Sequence, residues 1–309
     1  MTMQPDLVIY HGPSCLDGFT AAWAIWRRWP KASFLAANYG DEPPDVTGLN
    51  VLIVDFSYKA AVLAAMAERA HTITIVDHHK TAAEDLAPYA TARISDLASF
   101  DELARIPTRT HVQAVFNMEK SGARLAWEYA FPEREIVPNI VRFVEDRDLW
   151  RFTMPETRDA CALLYSHDFS FDLWDQLADD LQFPPTLASL LTAGSAIERQ
   201  KQKDARAIVS ACAREMIFDG HRVPVANCPY YLASDVGNIM AQGKPFAATY
   251  YDSKDGQRHF SLRSGSDGLD VSAIAAKLGG GGHKHAAGCT DAPCWPAAPL
   301  THQTTRDWI

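Results

Sequence analysis

The stretch Val76–His79, which reads Val-Asp-His-His, joins two kinds of side chain that bind transition metals. Asp77, His78 and His79 follow the apolar, β-branched run 72–76, which predicts a buried strand. In open α/β sheets, ligands bind outside the carboxyl ends of the strands, so these side chains are expected at a site. Carboxylate oxygen and imidazole nitrogen together suit Mn, Fe or Zn. Taken alone, the tripeptide is equally consistent with a strand-end turn that carries solvated histidines.

A second group of candidate ligands is His11-x-x-x-Cys15-x-Asp17. It follows a predicted strand, residues 7–10, and leads into a predicted helix that ends before Pro30. On such a loop this spacing can bring an imidazole, a thiolate and a carboxylate to one point. A buried cysteine that only fills space is the alternative for Cys15.

Two further carboxylates complete the set of candidate ligands. Asp55 follows the buried run 51–54, and Asp146 follows a predicted helix over 137–144. Asp55 is also consistent with a helix cap, and Asp146 with a cap or a surface ion pair. Three predicted strands nevertheless end in His11, Asp55 and Asp77, which places acid and imidazole groups along one sheet edge.

The elements that position these residues alternate between strand and helix with short connections. This alternation predicts an α/β fold, with an N-terminal, doubly wound and mainly parallel sheet. The polar, periodic stretch from Leu187 to about Met216 predicts a long connector helix. Beyond it, the runs VPVANC, FAATYY and HFSLRS predict the strands of a smaller C-terminal α/β domain.

The run Gly279–Gly288, GGGGHKHAAG, is the third motif. Its glycines expose backbone N–H groups and permit positive φ, so it can form an anion-binding loop. Arg263 lies upstream and is a candidate phosphate partner through its forked guanidinium. A flexible linker is the alternative, although it explains neither His283 nor the Ala-Ala-Gly ending.

Composition excludes several classes of protein. The chain has 309 residues and a net charge of −9, which argues against coating long duplex nucleic acid. No apolar run is long enough to span a membrane, and no secretory signal is visible. The six cysteines form no C-x-x-C pair, so we expect reduced thiols and a cytoplasmic protein.

The motifs HGPSCLDG, VDFS, VDHH, EDRD and GGGGHKHAAG together resemble the DHH-family phosphoesterases that carry the DHH-associated C-terminal domain. The short oligoribonuclease (nano-RNase) branch is the most similar. The resemblance extends from His11 to Gly288. It implies a catalytic metal-binding domain in residues 1–183, a connector in 184–215, a substrate-binding domain in 216–291 and an irregular tail in 292–309.

The resemblance also implies roles for individual residues. The family usually binds Mn, so one or two divalent ions, with Mn as the expected metal, are expected on six side chains: His11, Cys15, Asp17, Asp55, His78 and Asp146. Asp148 is the alternative to Asp146. Asp77, His78 and His79 are the expected catalytic residues. The expected substrate-binding residues are Arg263, Gly280, Gly281, Gly282 and His283. Many family members carry Asp where this chain has Cys15, and a softer thiolate favours a different metal or weakens the first site.

The expected activity is hydrolysis of short single-stranded oligonucleotides to nucleoside monophosphates by metal-activated water. A cyclic dinucleotide phosphodiesterase and a phosphatase for a 3′-phosphorylated adenosine nucleotide (pAp) use the same site, so both stay open. A catalytically silent nucleotide-binding protein is the alternative from another class. The expected partner is a short oligonucleotide or a small nucleotide, without a membrane or a long duplex, and a homodimer is compatible with the sequence.

Overall fold

The computed structural model describes residues 4–93, 111–133, 136–254 and 256–290. The chain divides into two compact units, residues 1–198 and 199–309. No helix among the described residues is both long and apolar enough to cross a membrane.

The first unit is built on a parallel sheet of six strands. The strands are β1 (Leu7–His11), β2 (Ser33–Ala37), β3 (Asn50–Val54), β4 (Thr72–Asp77), β5 (Ala90–Arg93) and β6 (Val112–Phe116). Their order across the sheet is β2-β1-β3-β4-β6-β5. The chain therefore leaves β1 toward one side of the sheet and returns as β3 on the other. This reversal is the position at which open α/β sheets form a ligand-binding crevice.

Helices cover both faces of this sheet. They are α1 (Leu16–Arg28), α2 (Ala60–Ala67), α3 (Lys80–Asp85), α4 (Gly122–Ala130), α5 (Asn139–Asp148), α6 (Thr157–Tyr165) and α7 (Phe171–Gln182). Successive residues of β3 face opposite sides, as a strand requires. Leu52 and Val54 belong to the core that includes α1 and α4, whereas Val51 and Ile53 belong to the core that includes α2. The predicted doubly wound α/β domain is thus confirmed.

The second unit contains a separate sheet of six strands. They are β7 (Arg214–Phe218), β8 (His221–Asn227), β9 (Ala247–Asp252), β10 (Arg258–Arg263), β11 (Gly281–His283) and β12 (Ala286–Thr290), in the order β11-β12-β10-β9-β8-β7. The β8–β9 pair is parallel and the other pairs are antiparallel. Two helices, α9 (Ala233–Ala241) and α10 (Val271–Lys277), pack on it through separate apolar cores. The predicted smaller α/β domain is also confirmed.

The long helix α8 spans Pro184–Cys212, and the boundary between the two units falls within it. The sequence predicted that this helix continues to about Met216, but Met216 lies in β7 instead. Met216 and Phe218 are buried while Ile217 between them is exposed, so this segment has the period of two that a strand requires. The predicted domain boundaries at 184 and 216 remain predictions, and the predicted tail 292–309 lies outside the described residues.

Candidate functional site

Three adjacent strands bring candidate ligands to one edge of the parallel sheet. His11 is the last residue of β1, Asp55 directly follows β3, and Asp77 is the last residue of β4. These strands are neighbours in the order β1-β3-β4, and neighbouring strands lie about 4.8 Å apart. The alternation of elements therefore brings together residues that are far apart in the chain.

Asp55 is the central carboxylate of this edge. Its Oδ1 lies 3.0 Å from His78 Nε2, and its Oδ2 lies 3.7 Å from His11 Nδ1. The Cys15 thiol donates to Oδ2 over 3.6 Å. Asp55 is buried and has a φ of 52°, in the left-handed region. It does not cap α2, whose N-cap residue is Lys59, so the capping interpretation is wrong.

The carboxylate of Asp17 is held by the N-terminus of α4. Its oxygens accept hydrogen bonds from Gly122 N over 2.6 Å and from Ala123 N over 3.0 Å. A helix N-terminus favours a negative charge, because its N–H groups lack partners within the helix. Asp17 Oδ2 also lies 3.6 Å from His78 Nε2. A Cβ at Gly122 would lie 2.4 Å from the Cβ of Asp55, so only glycine allows α4 this close approach.

Cys15 is both the N-cap of α1 and a neighbour of the other candidate ligands. Its Sγ accepts a hydrogen bond from Gly18 N over 3.4 Å. A potential donor atom from each of His11, Cys15 and Asp55 lies within 4.8 Å of the others. Burial, with the charges of Asp55 and Asp17, raises the pKa of the Cys15 thiol well above its ordinary value. Without a cation, Cys15 is therefore a neutral thiol.

Asp77 organises the two histidines that follow it. Its Oδ1 accepts hydrogen bonds from His78 N over 2.7 Å and from His79 N over 3.3 Å. The same oxygen lies 2.7 Å from His79 Nδ1. Asp77 Oδ2 is buried without a hydrogen-bond partner among the described residues. A buried acceptor of this kind fits a site that receives a cation or a proton donor.

Asp146 does not join this cluster, which corrects its predicted place in the metal site. Its two oxygens accept hydrogen bonds from Thr153 N, Thr153 Oγ1, Met154 N and Thr157 Oγ1, over 2.5–3.2 Å. These contacts tie the end of α5 to the start of α6. The carboxylate is therefore occupied in closing a turn.

Asp148, two residues further along, takes the place that the sequence analysis gave to Asp146. Its Oδ2 lies 3.7 Å from His78 Nε2, and it forms a potential cation-binding group with Asp17 and His78. A helical pattern could have revealed it. Asp148 continues the row of Ile140 and Val144, which are buried and spaced four residues apart.

The cluster has the donors and the charge of a divalent metal centre. One group consists of His11, Cys15 and Asp55, and another of Asp17, His78 and Asp148. A third group, Asp55, Asp77, His78 and His79, shares Asp55 with the first and His78 with the second. Imidazole and carboxylate dominate the donor set, which suits a first-row transition metal. The residues therefore fit one ion or an adjacent pair of ions.

The ionisation of the cluster supports the same conclusion. Burial, with the charges of Asp148 and Asp55, raises the pKa of Asp17 well above its ordinary value. Burial also disfavours the charged form of Asp55, but hydrogen bonds from His11 and His78 hold the pKa of Asp55 well below its ordinary value. Burial lowers the pKa of His78, but the opposite effect of Asp55 and Asp148 is larger, so the pKa of His78 lies well above its ordinary value. A bound cation supplies the positive charge that these carboxylates otherwise take from protons.

In the second unit, the glycine run forms part of the sheet rather than an open loop. Gly281–His283 is strand β11, and it pairs with Ala286–Gly288 of β12. A Cβ at Gly280 would lie 2.0 Å from the carbonyl oxygen of Gly288, and Gly282 has a φ of 137°. The glycines are therefore required for the close approach of β11 to β12. Anion binding by Gly280, Gly281, Gly282 and His283 remains a prediction.

Arg263 ends strand β10 at the same end of the sheet. It pairs with Ala286, which in turn pairs with His283 on the far side. Its guanidinium donates hydrogen bonds to Ser261 Oγ, to Leu262 O and to Ser234 Oγ of α9, over 2.8–2.9 Å. A Cβ at Gly237 would lie 2.9 Å from Arg263 Cγ, so α9 leaves room for this side chain.

Comparison with known proteins agrees with this two-domain organisation. The model of the DHHA1 domain matches residues 232–292. Uncharacterized protein R106 of Acanthamoeba polyphaga mimivirus is 28% identical over 325 residues, covering 92% of this chain and 67% of that protein. Oligoribonuclease NrnB of Bacillus subtilis (strain 168) is 30% identical over 128 residues, which cover 41% of this chain and 28% of NrnB.

The fold of the chain is shared with a solved DHH domain. The DHH domain of a member of the s1p family of ribosomal proteins aligns with a TM-score of 0.51 and 16% identity, covering 92% of this chain and 82% of that one. The parallel sheet that ends in His11, Asp55 and Asp77-His78-His79 is thus followed by a DHHA1 domain. The chain therefore carries a DHHA1 domain and is similar to proteins that contain DHH domains.

Proposed function

We propose that this protein is a divalent-metal-dependent phosphodiesterase that hydrolyses short single-stranded oligonucleotides to nucleoside monophosphates. The observation that carries the proposal is the convergence of six donors at the carboxyl edge of one parallel sheet. They are His11, Cys15, Asp17, Asp55, His78 and Asp148.

Two donor groups are the proposed cation sites. His11, Cys15 and Asp55 would hold one ion, and Asp17, His78 and Asp148 would hold a second. We assign manganese, because carboxylates and imidazoles form most of the donor set. When bound, such an ion neutralises the phosphoryl oxygens and makes water acidic enough to attack at neutral pH.

His79 is the residue that contacts the scissile phosphate. Asp77 Oδ1 lies 2.7 Å from Nδ1 of His79 and orients the ring. His79 Nε2 then donates a hydrogen bond to a phosphate oxygen, or a proton to the leaving oxygen. Asp77 itself orients His79 and does not react.

The DHHA1 domain carries further candidate phosphate-binding groups. Arg263 is held in a fixed orientation by three hydrogen bonds, and a guanidinium pairs well with a phosphate. Gly281, Gly282 and His283 are the candidate donors beside it, near the same end of that sheet, whereas the N–H of Gly280 already donates to Ala275 O over 2.9 Å. A net charge of −9 favours a short substrate over a long duplex, and the likeness to an oligoribonuclease supports the same choice.

The decisive experiment is hydrolysis of 5′-labelled single-stranded RNAs, from two to ten nucleotides, with Mn²⁺, with Mg²⁺ or with chelator. We expect metal-dependent release of nucleoside monophosphates, fastest from the shortest RNAs. His78→Ala should abolish it. His71→Ala is the matched control, since His71 is exposed and directly precedes the N-terminal end of β4, whereas His78 follows its C-terminal end.

Circular dichroism of both variants ensures that a loss of activity reflects the site. Cyclic di-AMP and pAp belong in the same assay. The proposal is wrong if folded protein cleaves no oligonucleotide with either metal, or if His78→Ala keeps the activity of the wild type.

A further inference from the structure

Tyr39 is an exposed aromatic residue at the mouth of the site. It lies just after β2, and 54% of its surface is exposed. A tight turn holds it, because Asn38 N donates to Asp41 Oδ2 over 2.7 Å and Asp41 N donates to Asn38 O over 3.1 Å. Gly40, with a φ of 96°, allows that turn. The ring is thus presented by a defined backbone conformation.

The ring of Tyr39 contacts both histidines that border the cluster. Its centroid lies 5.5 Å from that of His11 and 6.1 Å from that of His79, in edge-to-face geometry. Phe56, which directly follows Asp55 and is fully buried, supports it from within at 5.1 Å. Tyr39 therefore stands between solvent and the residues that take the phosphate.

An exposed ring is expected at such a position when a ligand covers it. Catalysis by His11, Asp55 and His79 requires only charge and proton transfer, for which Tyr39 is not needed. The side chain instead offers an aromatic surface beside a phosphate-binding centre. Nucleobases stack on such surfaces in proteins that bind single strands, whatever the base, since every base has an aromatic face.

We infer that Tyr39 is a nucleobase-binding residue, on which the base of the nucleotide at the metal centre stacks. This inference rests on the proposed function, because it takes the scissile phosphate to lie at the cluster. A base is separated from its own phosphate by one sugar, so a ring beside His11 and His79 is within its reach. Stacking without hydrogen bonds to the base gives affinity with little sequence preference.

The test compares Tyr39→Leu and Tyr39→Trp on pApA and on two pApA analogues, each lacking one base. Tyr39→Leu should lower kcat/KM for pApA about 10-fold or more, the range of base–aromatic stacking. It should leave one abasic analogue unchanged, and that analogue identifies the stacked base. Tyr39→Trp should retain activity on pApA. Tyr231→Leu is the control, since Tyr231 is an equally exposed tyrosine of the other unit, with 64% of its surface exposed.

A role in holding His11 or His79 in place predicts a different result. Tyr39→Leu would then lower activity on pApA and on both abasic analogues by the same factor, or would weaken Mn²⁺ binding measured by calorimetry. Either result overturns the inference.

Direct binding separates this inference from the proposed function. Calorimetry with Mn²⁺ should show that Tyr39→Leu weakens binding of AMP and leaves binding of ribose 5-phosphate unchanged. If the wild type cleaves no oligonucleotide but Tyr39→Leu weakens binding of AMP alone, the proposed activity is wrong and the inferred base-binding site is supported. If AMP binds wild type and Tyr39→Leu equally, the base site is wrong whatever the activity.

Discussion

The residue at position 15 must meet two structural requirements. As the N-cap of α1 it must accept a hydrogen bond from Gly18 N, and as a neighbour of Asp55 it must not add negative charge in the absence of a cation. A thiol with a raised pKa meets both requirements. A carboxylate at this position is a better cap and a harder ligand, but it needs a cation beside it.

We therefore expect Cys15→Asp to make the protein more dependent on Mn²⁺. Without metal, the new carboxylate adds to the repulsion around Asp55 and lowers the melting temperature. With Mn²⁺, an oxygen ligand replaces sulfur, so activity is retained or raised. Scanning calorimetry in Mn²⁺ and in chelator should show that Mn²⁺ raises the melting temperature of Cys15→Asp by more than it raises that of the wild type.

Cys15→Ser is the matched variant, since serine caps the helix without adding a charge. If Mn²⁺ raises the melting temperature of Cys15→Asp no more than that of Cys15→Ser, a ligand role at this position is contradicted.

Asp146 and Asp148 predict opposite effects of the same substitution. Asp148→Asn should weaken Mn²⁺ binding with little change in the free energy of unfolding of the metal-free protein, because the Asp148 side chain is part-exposed. Asp146→Asn should instead destabilise the fold by about 1–3 kcal/mol. An NH2 group in place of Oδ2 cannot accept the hydrogen bonds from Met154 N and Thr157 Oγ1. Urea unfolding and calorimetric titration with Mn²⁺ measure the two effects.

Asp146 also gives these variants a pH signature. Burial raises the pKa of Asp146, but the opposite effect of hydrogen bonds from Thr153 and Thr157 is larger, so the pKa lies below its ordinary value. The carboxylate therefore stabilises the fold above the pKa of an unfolded Asp, and this contribution is lost as pH falls through the lowered pKa. Wild-type stability should fall on acidification toward that of Asp146→Asn. A constant difference between the two down to the lowest pH would contradict this.

At the scale of the element, strand ends give a stronger signal in the sequence than helix faces do. An apolar, β-branched run fixes where a strand ends, so His11, Asp55, Asp77 and the histidines after Asp77 could be placed at one edge from the sequence. Asp146 and Asp148 lie in one helix two residues apart, and only the four-residue spacing of Asp148 from Val144 distinguishes the two acids in the sequence. The glycine run was misread as an open loop, because its close packing on β12 depends on a distant segment.

The contact between α9 and Arg263 predicts a specific effect of one methyl group. Gly237→Ala places a Cβ 2.9 Å from Arg263 Cγ, so the guanidinium must leave its position beside Ser234. We expect affinity for pApA, which has a second phosphate, to fall about 10-fold or more, the value of a charged hydrogen bond to phosphate, while the circular dichroism spectrum is unchanged.

Gly265→Ala is the control, because a Cβ at Gly265 meets open space and its φ is ordinary. Equal loss of pApA binding in both variants would show that Arg263 is not the group that binds phosphate.

For the whole molecule, the donor groups of the first unit predict where a metal acts. Hydrogen exchange with and without Mn²⁺ should show protection in β1, β3, β4 and α5, which carry or precede the candidate ligands. The strands β7–β12 should be unaffected by metal alone. Equal protection in both units on adding Mn²⁺ would place the ion, or its effect, elsewhere.

The ligands of the cluster are spread from His11 to Asp148, and this spacing sets an order of events during synthesis. The N-terminal strands leave the ribosome first, with most of the imidazole and carboxylate donors already present. The set is complete only once α5 has emerged. A nascent chain therefore cannot assemble all the candidate ligands before α5 is present to close the edge of the parallel sheet.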